Sequence, residues 1–260
     1  MTKVLAVTNQ KGGVGKTTTA VNLAASLAAV KQRVLLIDLD PQGNATMGSG
    51  IDKRDLQATV YHVLLGSKTI REVRVQSNPG KYDLLPANRD LAGAEVELVD
   101  MPNREGRLQE ALKSVESDYE YILIDCPPAL NLLTLNGLCA AKSVMIPMQC
   151  EYYALEGLSD LVNTIRKVRA KMNPDLEIEG LLRTMFDPRN SLAQQVSDQL
   201  LEHFGNKVYR TVIPRNIRLA EAPSFGVPAL YHDKLSKGTQ AYLALAGELL
   251  NNAVQPVAAV

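Results

Sequence analysis

The chain has 260 residues, of which 46% are hydrophobic and 22% charged. This composition is typical of a soluble protein whose core is large enough to fold without disulfides or metal staples. Lysine plus arginine and aspartate plus glutamate each number 28, so the net charge is zero. No whole-molecule field therefore favours nucleic acid or anionic lipid, and any binding of a polyanion requires a local basic patch.

The cysteines and the apolar runs indicate the compartment. Cys126, Cys139 and Cys150 are an odd number without a Cys-x-x-Cys pair, which indicates neither a disulfide framework nor a zinc site. Their apolar neighbours favour buried, reduced thiols. Neither a signal-peptide pattern nor an apolar run long enough to span a bilayer is found. The sequence therefore predicts a cytoplasmic protein.

Apolar runs of strand length alternate along the chain with segments of helical periodicity. Strands are predicted over residues 4–8, 34–38, 82–86, 121–125, 143–148, 179–185 and 208–213. Helices are predicted over residues 17–30, 106–116, 131–141, 155–172, 192–204 and 239–250. Several of the strands are nearly continuous in Val, Ile and Leu, as expected when both faces of a sheet are covered. The alternation predicts an α/β fold with a doubly wound, mostly parallel sheet flanked by helices.

The chain shows no sign of division into separate units. It contains no linker rich in Pro, Gly or Ser, no internal repeat and no low-complexity block. Residues 43–77 are the least periodic part and are predicted to form loops and short helices. Residues 251–260 lack charge and periodicity and are predicted to form a flexible tail. One domain over residues 1–260 is the expectation.

The first predicted strand leads directly into a glycine-rich loop, and a helix follows at once. The loop consists of Lys11, Gly12, Gly13, Val14, Gly15, Lys16, Thr17 and Thr18. Glycines allow backbone N–H groups to converge on phosphate oxygens, and a helix N-terminus favours negative charge. The pattern therefore predicts that the loop binds ATP, with Lys16 at the β- and γ-phosphates and the Thr17 hydroxyl on Mg²⁺. The alternative is a glycine-rich turn with a helix cap.

A second lysine in this loop departs from the common pattern of phosphate-binding loops. Gln10 occupies the position of the first glycine, and Lys11 stands beside the glycine pair. Two interpretations remain open at this point. Lys11 is either a solvated surface lysine, or it reaches a phosphate bound by a neighbouring subunit and acts like an arginine finger supplied in trans.

Two of the predicted strands end in carboxylates that would lie beside the loop. Asp40 follows the second strand, within Asp38-Leu39-Asp40-Pro41-Gln42-Gly43-Asn44, and Asp125 ends the strand over residues 121–125. At the carboxyl edge of a parallel sheet such groups lie where ligands bind. Asp125 is predicted to hold Mg²⁺, and Asp40 to orient or deprotonate the attacking water and to be a further candidate ligand of the metal. Taken alone, the first motif also fits a turn and the second a helix cap.

The loop over residues 11–17 resembles the deviant Walker A motif of the ParA/MinD/Soj superfamily of P-loop ATPases. The resemblance implies that Lys11 crosses the interface of an ATP-sandwiched dimer and that Gly12 allows the two loops to approach closely. Residues 38–44 resemble the switch I segment of ParA-like proteins, in which the second aspartate supports hydrolysis. The residues implied to line the adenine base are Thr184, Met185, Pro214, Arg215 and Asn216.

The resemblance to chromosomal ParA (Soj) proteins extends over essentially the whole chain, including residues 149–157, 186–190 and 212–224. Position by position, it implies that Arg189 and Arg218 contact DNA without sequence specificity. The implied function is an ATP-dependent switch in chromosome or plasmid partitioning. ATP closes a homodimer that binds nucleoid DNA, and hydrolysis stimulated by a ParB-like centromere-binding protein releases it. The expected location is the cytoplasm, in association with the nucleoid, without a membrane partner.

Other interpretations remain open. The basic run over residues 166–171 is a solvated helix face or part of a DNA-binding patch. A MinD-like membrane-associated positioning ATPase would need a basic amphipathic C-terminal helix, whereas residues 251–260 contain no lysine or arginine and one proline. An iron–sulfur relative would need paired thiolates. A partition ATPase for a protein cluster would carry the same motifs, because a partner protein reads the cargo.

Overall fold

The computed structural model describes residues 2–254, in which one seven-stranded sheet carries helices on both faces. The strands are β1 Lys3–Val7, β2 Val34–Asp38, β3 Val75–Gln76, β4 Asp83–Leu85, β5 Tyr121–Asp125, β6 Ser143–Met148 and β7 Glu177–Arg183. The helices are α1 Lys16–Ala29, α2 Asn44–Gly48, α3 Val60–Leu64, α4 Ile70–Val73, α5 Leu91–Glu97, α6 Arg107–Leu112, α7 Leu132–Ala140, α8 Ala154–Lys171, α9 Ser191–Phe204, α10 Ile217–Glu221, α11 Ala229–His232 and α12 Lys237–Val254.

The order of the strands places three functional strand ends side by side. The order is β3-β4-β2-β5-β1-β6-β7, and every neighbouring pair is parallel except β3 and β4. Asp125 at the end of β5 lies opposite Val7 of β1 on one side and Asp38 of β2 on the other. The predicted α/β fold, doubly wound around a mostly parallel sheet, is confirmed, and its carboxyl edge gathers the predicted site.

The apolar strands are buried on both faces of the sheet. Leu35 and Ile37 of β2 belong to one hydrophobic cluster, whereas Val34 and Leu36 belong to the cluster on the opposite face. This alternation follows from the two-residue period of a strand. It explains why the sequence of a central strand is continuously apolar instead of alternating, because neither face meets water.

The predicted elements agree with the structure to within a few residues, but two assignments are wrong. Residues 43–77 are predicted to form only loops and short helices, whereas they contain β3 at Val75–Gln76. Residues 208–213 are not a strand, although Val208 forms an isolated bridge with Leu181 of β7. The backbone N–H groups of Arg210 and Thr211 donate instead to the carboxylate of Glu248, at 2.7 and 2.9 Å. A side chain on α12 thus takes the place of a neighbouring strand.

The end of the chain also differs from the prediction. The helix predicted over residues 239–250 begins at Lys237 and extends to Val254, so residues 251–254 are helical and do not belong to a tail. Residues 255–260 of the predicted tail lie outside the described residues. Within residues 2–254, no helix combines the length and apolarity that a bilayer crossing requires.

Candidate functional site

The loop between β1 and α1 presents backbone amides at the centre of the sheet. Gly13 and Gly15 have φ values of 73° and 87°, in the left-handed region that side chains rarely adopt. Gly15 precedes the first turn of α1, and no side chain in the described part of the chain caps that helix. The first N–H groups of α1 are therefore available to an anion, which the helix dipole also favours.

Lys16 places a buried cation within this loop. Its side chain is only 7% exposed, and its Nζ donates to the backbone oxygen of Lys11 at 3.0 Å. Burial lowers the pKa of Lys16, and the nearby carboxylates of Asp125 and Asp40 partly oppose that shift. A buried ammonium beside unfilled helix N–H groups is complementary to a phosphate chain.

Lys11 behaves differently from Lys16. Its side chain is 47% exposed, and its ammonium pairs with the carboxylate of Glu151, in the segment between β6 and α8. Next to it, Gly12 has no φ in the left-handed region, and a Cβ built on it would meet no atom within 4 Å in residues 2–254. Neither the backbone nor the packing of this chain therefore requires a glycine at position 12.

Asp125 is a buried carboxylate near the hydroxyl of Thr17 and the ammonium of Lys16, both of which favour its charged form. It is fully buried, and neither of its oxygens has a hydrogen-bond partner among the described residues. Burial raises the pKa of Asp125 well above its ordinary value, and the charge of Asp38 on the neighbouring strand adds to the rise. Such a carboxyl is favoured in its neutral form until a cation binds it, and its oxygens are then available as ligands.

The donor set fits Mg²⁺ better than a metal that proteins enclose entirely. Residues 2–254 contain no group of three or more His, Cys, Asp or Glu side chains that would hold a metal ion alone. Mg²⁺ is commonly held by one or two protein oxygens, with water and phosphate completing the octahedron. Asp125 and the hydroxyl of Thr17, which directly follows Lys16, provide oxygens of the required kind. The residues therefore fit a magnesium ion that arrives with a phosphate ligand.

Asp38 organises the turn that carries Asp40. The carboxylate of Asp38 accepts bonds from Asp40 N at 3.1 Å, Thr46 N at 2.8 Å and the Thr46 hydroxyl at 2.7 Å. The Asp40 carboxylate accepts one bond, from Gln42 N at 2.9 Å, and is half-buried. Asp40 is thus held by its backbone while its side chain remains accessible to a substrate. The sequence pattern alone gives no role to Asp38, although it lies only two residues before Asp40.

A pocket of about 160 Å³ opens beside the loop and collects the residues implied to line the adenine base. Gly15 and Thr18 of the loop and of α1 belong to the lining, and the other lining residues are Thr184, Met185, Ile213, Pro214, Arg215, Asn216, Leu219, Ala220 and Tyr242. The Thr184 hydroxyl donates to the backbone oxygen of Val14 at 2.8 Å, which joins the end of β7 to the loop. The sequence pattern does not predict Tyr242 as a lining residue, because α12 is remote in sequence from the loop and from Thr184.

The two arginines implied as DNA contacts lie on separate elements and are paired with acids of their own chain. Arg189 precedes α9, is 88% exposed, and donates to Asp187 at 2.8 and 2.9 Å. Arg218 in α10 pairs with Glu221 at 2.8 Å and with Asp233 at 3.3 Å. The bond from Arg189 lowers the pKa of Asp187 to about 2. A phosphate that binds either arginine must therefore replace or share a carboxylate.

Comparisons with known proteins agree with this geometry. Residues 2–178 match the family described as AAA domain. The chain is 54% identical to the sporulation initiation inhibitor protein Soj of Bacillus subtilis, over 97% of this chain and 100% of that protein. It is 52% identical to the chromosome partitioning protein ParA of Myxococcus xanthus, over 95% of this chain and 88% of that protein. Among solved structures, the chain is similar to the crystal structure of cobyrinic acid a,c-diamide synthase from Mycobacterium smegmatis with bound ADP and magnesium. The TM-score is 0.86 and the sequences are 40% identical, over 98% of this chain and 96% of that chain.

Proposed function

Because this chain belongs to the family of Soj and ParA partitioning ATPases, we propose that it is a dimerising ATP switch of chromosome or plasmid partitioning. The ATP-bound protein forms a sandwich dimer that binds DNA without sequence specificity. Hydrolysis, stimulated by a ParB-like centromere-binding protein, returns it to a form that leaves DNA. It acts in the cytoplasm on the nucleoid, and its activity resides in one P-loop domain.

ATP fits the site through its phosphates and its base. Lys16 and the N–H groups of the loop bind the β- and γ-phosphates, while the pocket lined by Thr184, Met185, Pro214 and Asn216 takes the adenine. Mg²⁺, when bound with the nucleotide, neutralises charge on the phosphates. Thr17 and Asp125 would hold it, with Asp40 as a further candidate, and the orphaned oxygens of Asp125 support this assignment.

The observation that best supports dimerisation is the contrast between the two lysines of the loop. Lys16 is buried beside the phosphate site, whereas Lys11 lies at the surface beside a glycine that this chain does not itself require. If a second copy packs its loop against Gly12, a glycine is required at this position, because a side chain there would separate the two backbones. Lys11 would then exchange Glu151 for a phosphate of the partner's nucleotide, as an arginine finger does.

Asp40 is suited to the hydrolytic step. Its backbone is anchored by Asp38, and its side chain is close enough to Lys16 and Asp125 to influence the pKa of both. A carboxylate so placed can orient a water molecule and accept its proton as the water attacks the γ-phosphate.

Asp40→Asn is expected to retain ATP binding but to lower the hydrolysis rate by about 10²- to 10⁴-fold, because the amide keeps the turn and loses the base. Single-turnover hydrolysis of ATP measures the effect. Asp52→Asn is the matched control, since Asp52 accepts the N–H of Arg54 in the same type of turn on the surface. Comparable losses in both variants, or a rate close to that of the wild type for Asp40→Asn, would contradict the assigned role.

The proposed DNA surface depends on assembly. The chain has no net charge, and Arg189 and Arg218 are each paired with their own acids. One subunit is therefore a weak polyanion binder. Joining two subunits places four such arginines on one particle, and the second contact becomes intramolecular, which raises the affinity without any new contact type.

Arg218→Glu is expected to lower the affinity for random duplex DNA at least about tenfold, because each dimer loses two attractive charges and gains two repulsive ones. Affinity is measured by fluorescence anisotropy with ATP and with ADP, and ATP binding is checked separately. Arg33→Glu is the control, an exposed arginine that is paired with Glu120 and directly precedes β2, at the amino end of the sheet. Equal DNA affinity of the wild type with ATP and with ADP would exclude the switch.

The partitioning role itself is tested by the ATPase rate. The rate is measured alone, with random duplex DNA, with a peptide from the N-terminus of a candidate ParB-like protein, and with both. A partition switch requires that DNA and the peptide together stimulate hydrolysis more than the sum of their separate effects. A rate that neither addition changes would contradict the proposed function while leaving the ATPase assignment intact.

A further inference from the structure

Two charged side chains hold residues 209–211 from opposite sides. Glu248 of α12 accepts the N–H groups of Arg210 and Thr211. Arg183, the last residue of β7, donates from one guanidinium nitrogen to the backbone oxygen of Tyr209 at 2.9 Å and, more weakly, to that of Arg210 at 3.4 Å. The peptide groups of this segment therefore lie between a carboxylate and a guanidinium, in the place of a strand ladder.

The burial of Arg183 is unusual for a charged side chain. It is 8% exposed, and within residues 2–254 no carboxylate lies within salt-bridge distance of it. Besides the two carbonyls, its only bonded partner in that part of the chain is the Ser197 hydroxyl of α9, at 2.9 Å. Its Nε has no partner there, and burial lowers the pKa of the guanidinium. Burying a charged side chain costs free energy unless hydrogen bonds or an ion pair compensate, which suggests that the contacts of Arg183 have a role.

Two segments that line the base pocket are attached to this residue. Thr184 and Met185 follow Arg183 directly and belong to the lining. The second segment begins at Ile213, whose N–H donates to the backbone oxygen of Arg183 at 2.9 Å, so it lies directly beside the first. The carbonyls that the guanidinium holds lie three and four residues before Ile213. Arg183 therefore bonds to the second lining segment through both its main chain and its side chain.

We propose that Arg183 is a positioning residue for the base of the nucleotide, with Glu248 as its counterpart on the other side of the segment. The inference rests on the proposed ATP site and deepens it. Without the guanidinium, the carbonyls of Tyr209 and Arg210 lose their donor, and the segment that leads to Pro214 and Asn216 is held against β7 only by main-chain bonds, such as those from the N–H groups of Tyr209 and Ile213. The pocket then loses its fit to the base, while the phosphate loop stays intact.

The test compares a ligand with a base to one without. Arg183→Met removes the guanidinium and leaves an unbranched apolar side chain that fills much of the same buried space. The affinity for ATP is expected to fall about tenfold or more, since bonds to a charged group are lost from a buried site. The affinity for inorganic tripolyphosphate with Mg²⁺, measured by competition against a fluorescent ATP analogue, should not change. At saturating ATP the single-turnover rate should stay within about twofold of the wild type, because only binding is altered.

Two further variants make the outcome decisive. Glu248→Gln keeps an acceptor oxygen but loses the charge, and a smaller loss of ATP affinity in the same direction is expected. Arg183→Lys, which can donate to one carbonyl, should restore part of the affinity. Arg33→Met serves as the control, because Arg33 is an exposed arginine at the opposite edge of the sheet. If Arg183→Met does not fold, Glu248→Gln and Arg183→Lys carry the test.

The possible failures can be distinguished. A wild-type protein that binds ATP no better than tripolyphosphate would contradict the base pocket and with it the proposed function. A wild type that prefers ATP, together with variants at both positions that keep the full preference, would overturn only the inference about Arg183. Equal losses for ATP and tripolyphosphate would also overturn it, since they indicate a general disturbance of the fold.

Discussion

Lys16→Ala is expected to abolish ATP hydrolysis, with kcat/KM reduced by about three orders of magnitude or more. The ammonium is buried within the phosphate loop and has no other acceptor among the described residues than the oxygen of Lys11. We expect this cation to stabilise the charge on the β- and γ-oxygens of a bound phosphate chain. Alanine removes this cation, so both the binding of ATP and the transition state of hydrolysis are expected to lose stabilisation.

The measurement is a steady-state ATPase assay together with direct binding of ATP. Lys142→Ala is the matched control, because Lys142 pairs with Glu116 at the far edge of the sheet. Circular dichroism establishes that both variants fold. Hydrolysis by Lys16→Ala within tenfold of the wild type would show that the phosphates are bound elsewhere, and the site described above would have to be abandoned.

Gly12→Val is expected to separate nucleotide binding from assembly. Because a Cβ at position 12 meets nothing in the described chain, the variant should fold and bind ATP with unchanged affinity as a monomer. The branched side chain would, however, hold two facing loops apart and keep Lys11 from the partner's nucleotide. Hydrolysis should then fall by about 10³-fold, the lower range for the loss of a charge supplied in trans.

Light scattering with ATP measures the assembly, and the ATPase assay measures its consequence. Gly247→Val in α12 is the control, since that glycine also has open space around an added Cβ and lies outside the loop. Dimers of Gly12→Val that form with ATP as readily as those of the wild type would refute the close approach of the loops. A monomeric wild type in the presence of ATP would refute the sandwich itself.

The parts of the fold and the site that the sequence predicted are those set by local pattern. Apolar runs predicted the bounds of β2 and β5 to the residue, because strands that are buried on both faces are continuously apolar, as Val34–Asp38 and Tyr121–Asp125 are up to their final aspartate. The phosphate loop was equally visible, since its geometry depends on glycines at fixed spacing. The predicted family is confirmed by relatives that share about half of their residues with the chain over nearly its full length.

The parts that escaped prediction depend on contacts between distant segments. Residues 208–213 have the composition of a strand, but the carboxylate of Glu248 and the guanidinium of Arg183 occupy backbone groups that a neighbouring strand would otherwise bind. The pairing of Lys11 with Glu151 joins positions 140 residues apart. Local periodicity contains no information about such pairs, so neither the irregular segment nor the position of the Lys11 ammonium followed from the sequence.

The acids beside Arg189 and Arg218 have a consequence for the way DNA would be released. When an arginine leaves Asp187 or Glu221 for a phosphate, DNA sheds a counterion, but the abandoned carboxylate attracts a cation in its place. The net number of ions set free per arginine is then less than one. If the protein binds DNA through these arginines, its affinity would depend less steeply on salt than the number of basic contacts implies.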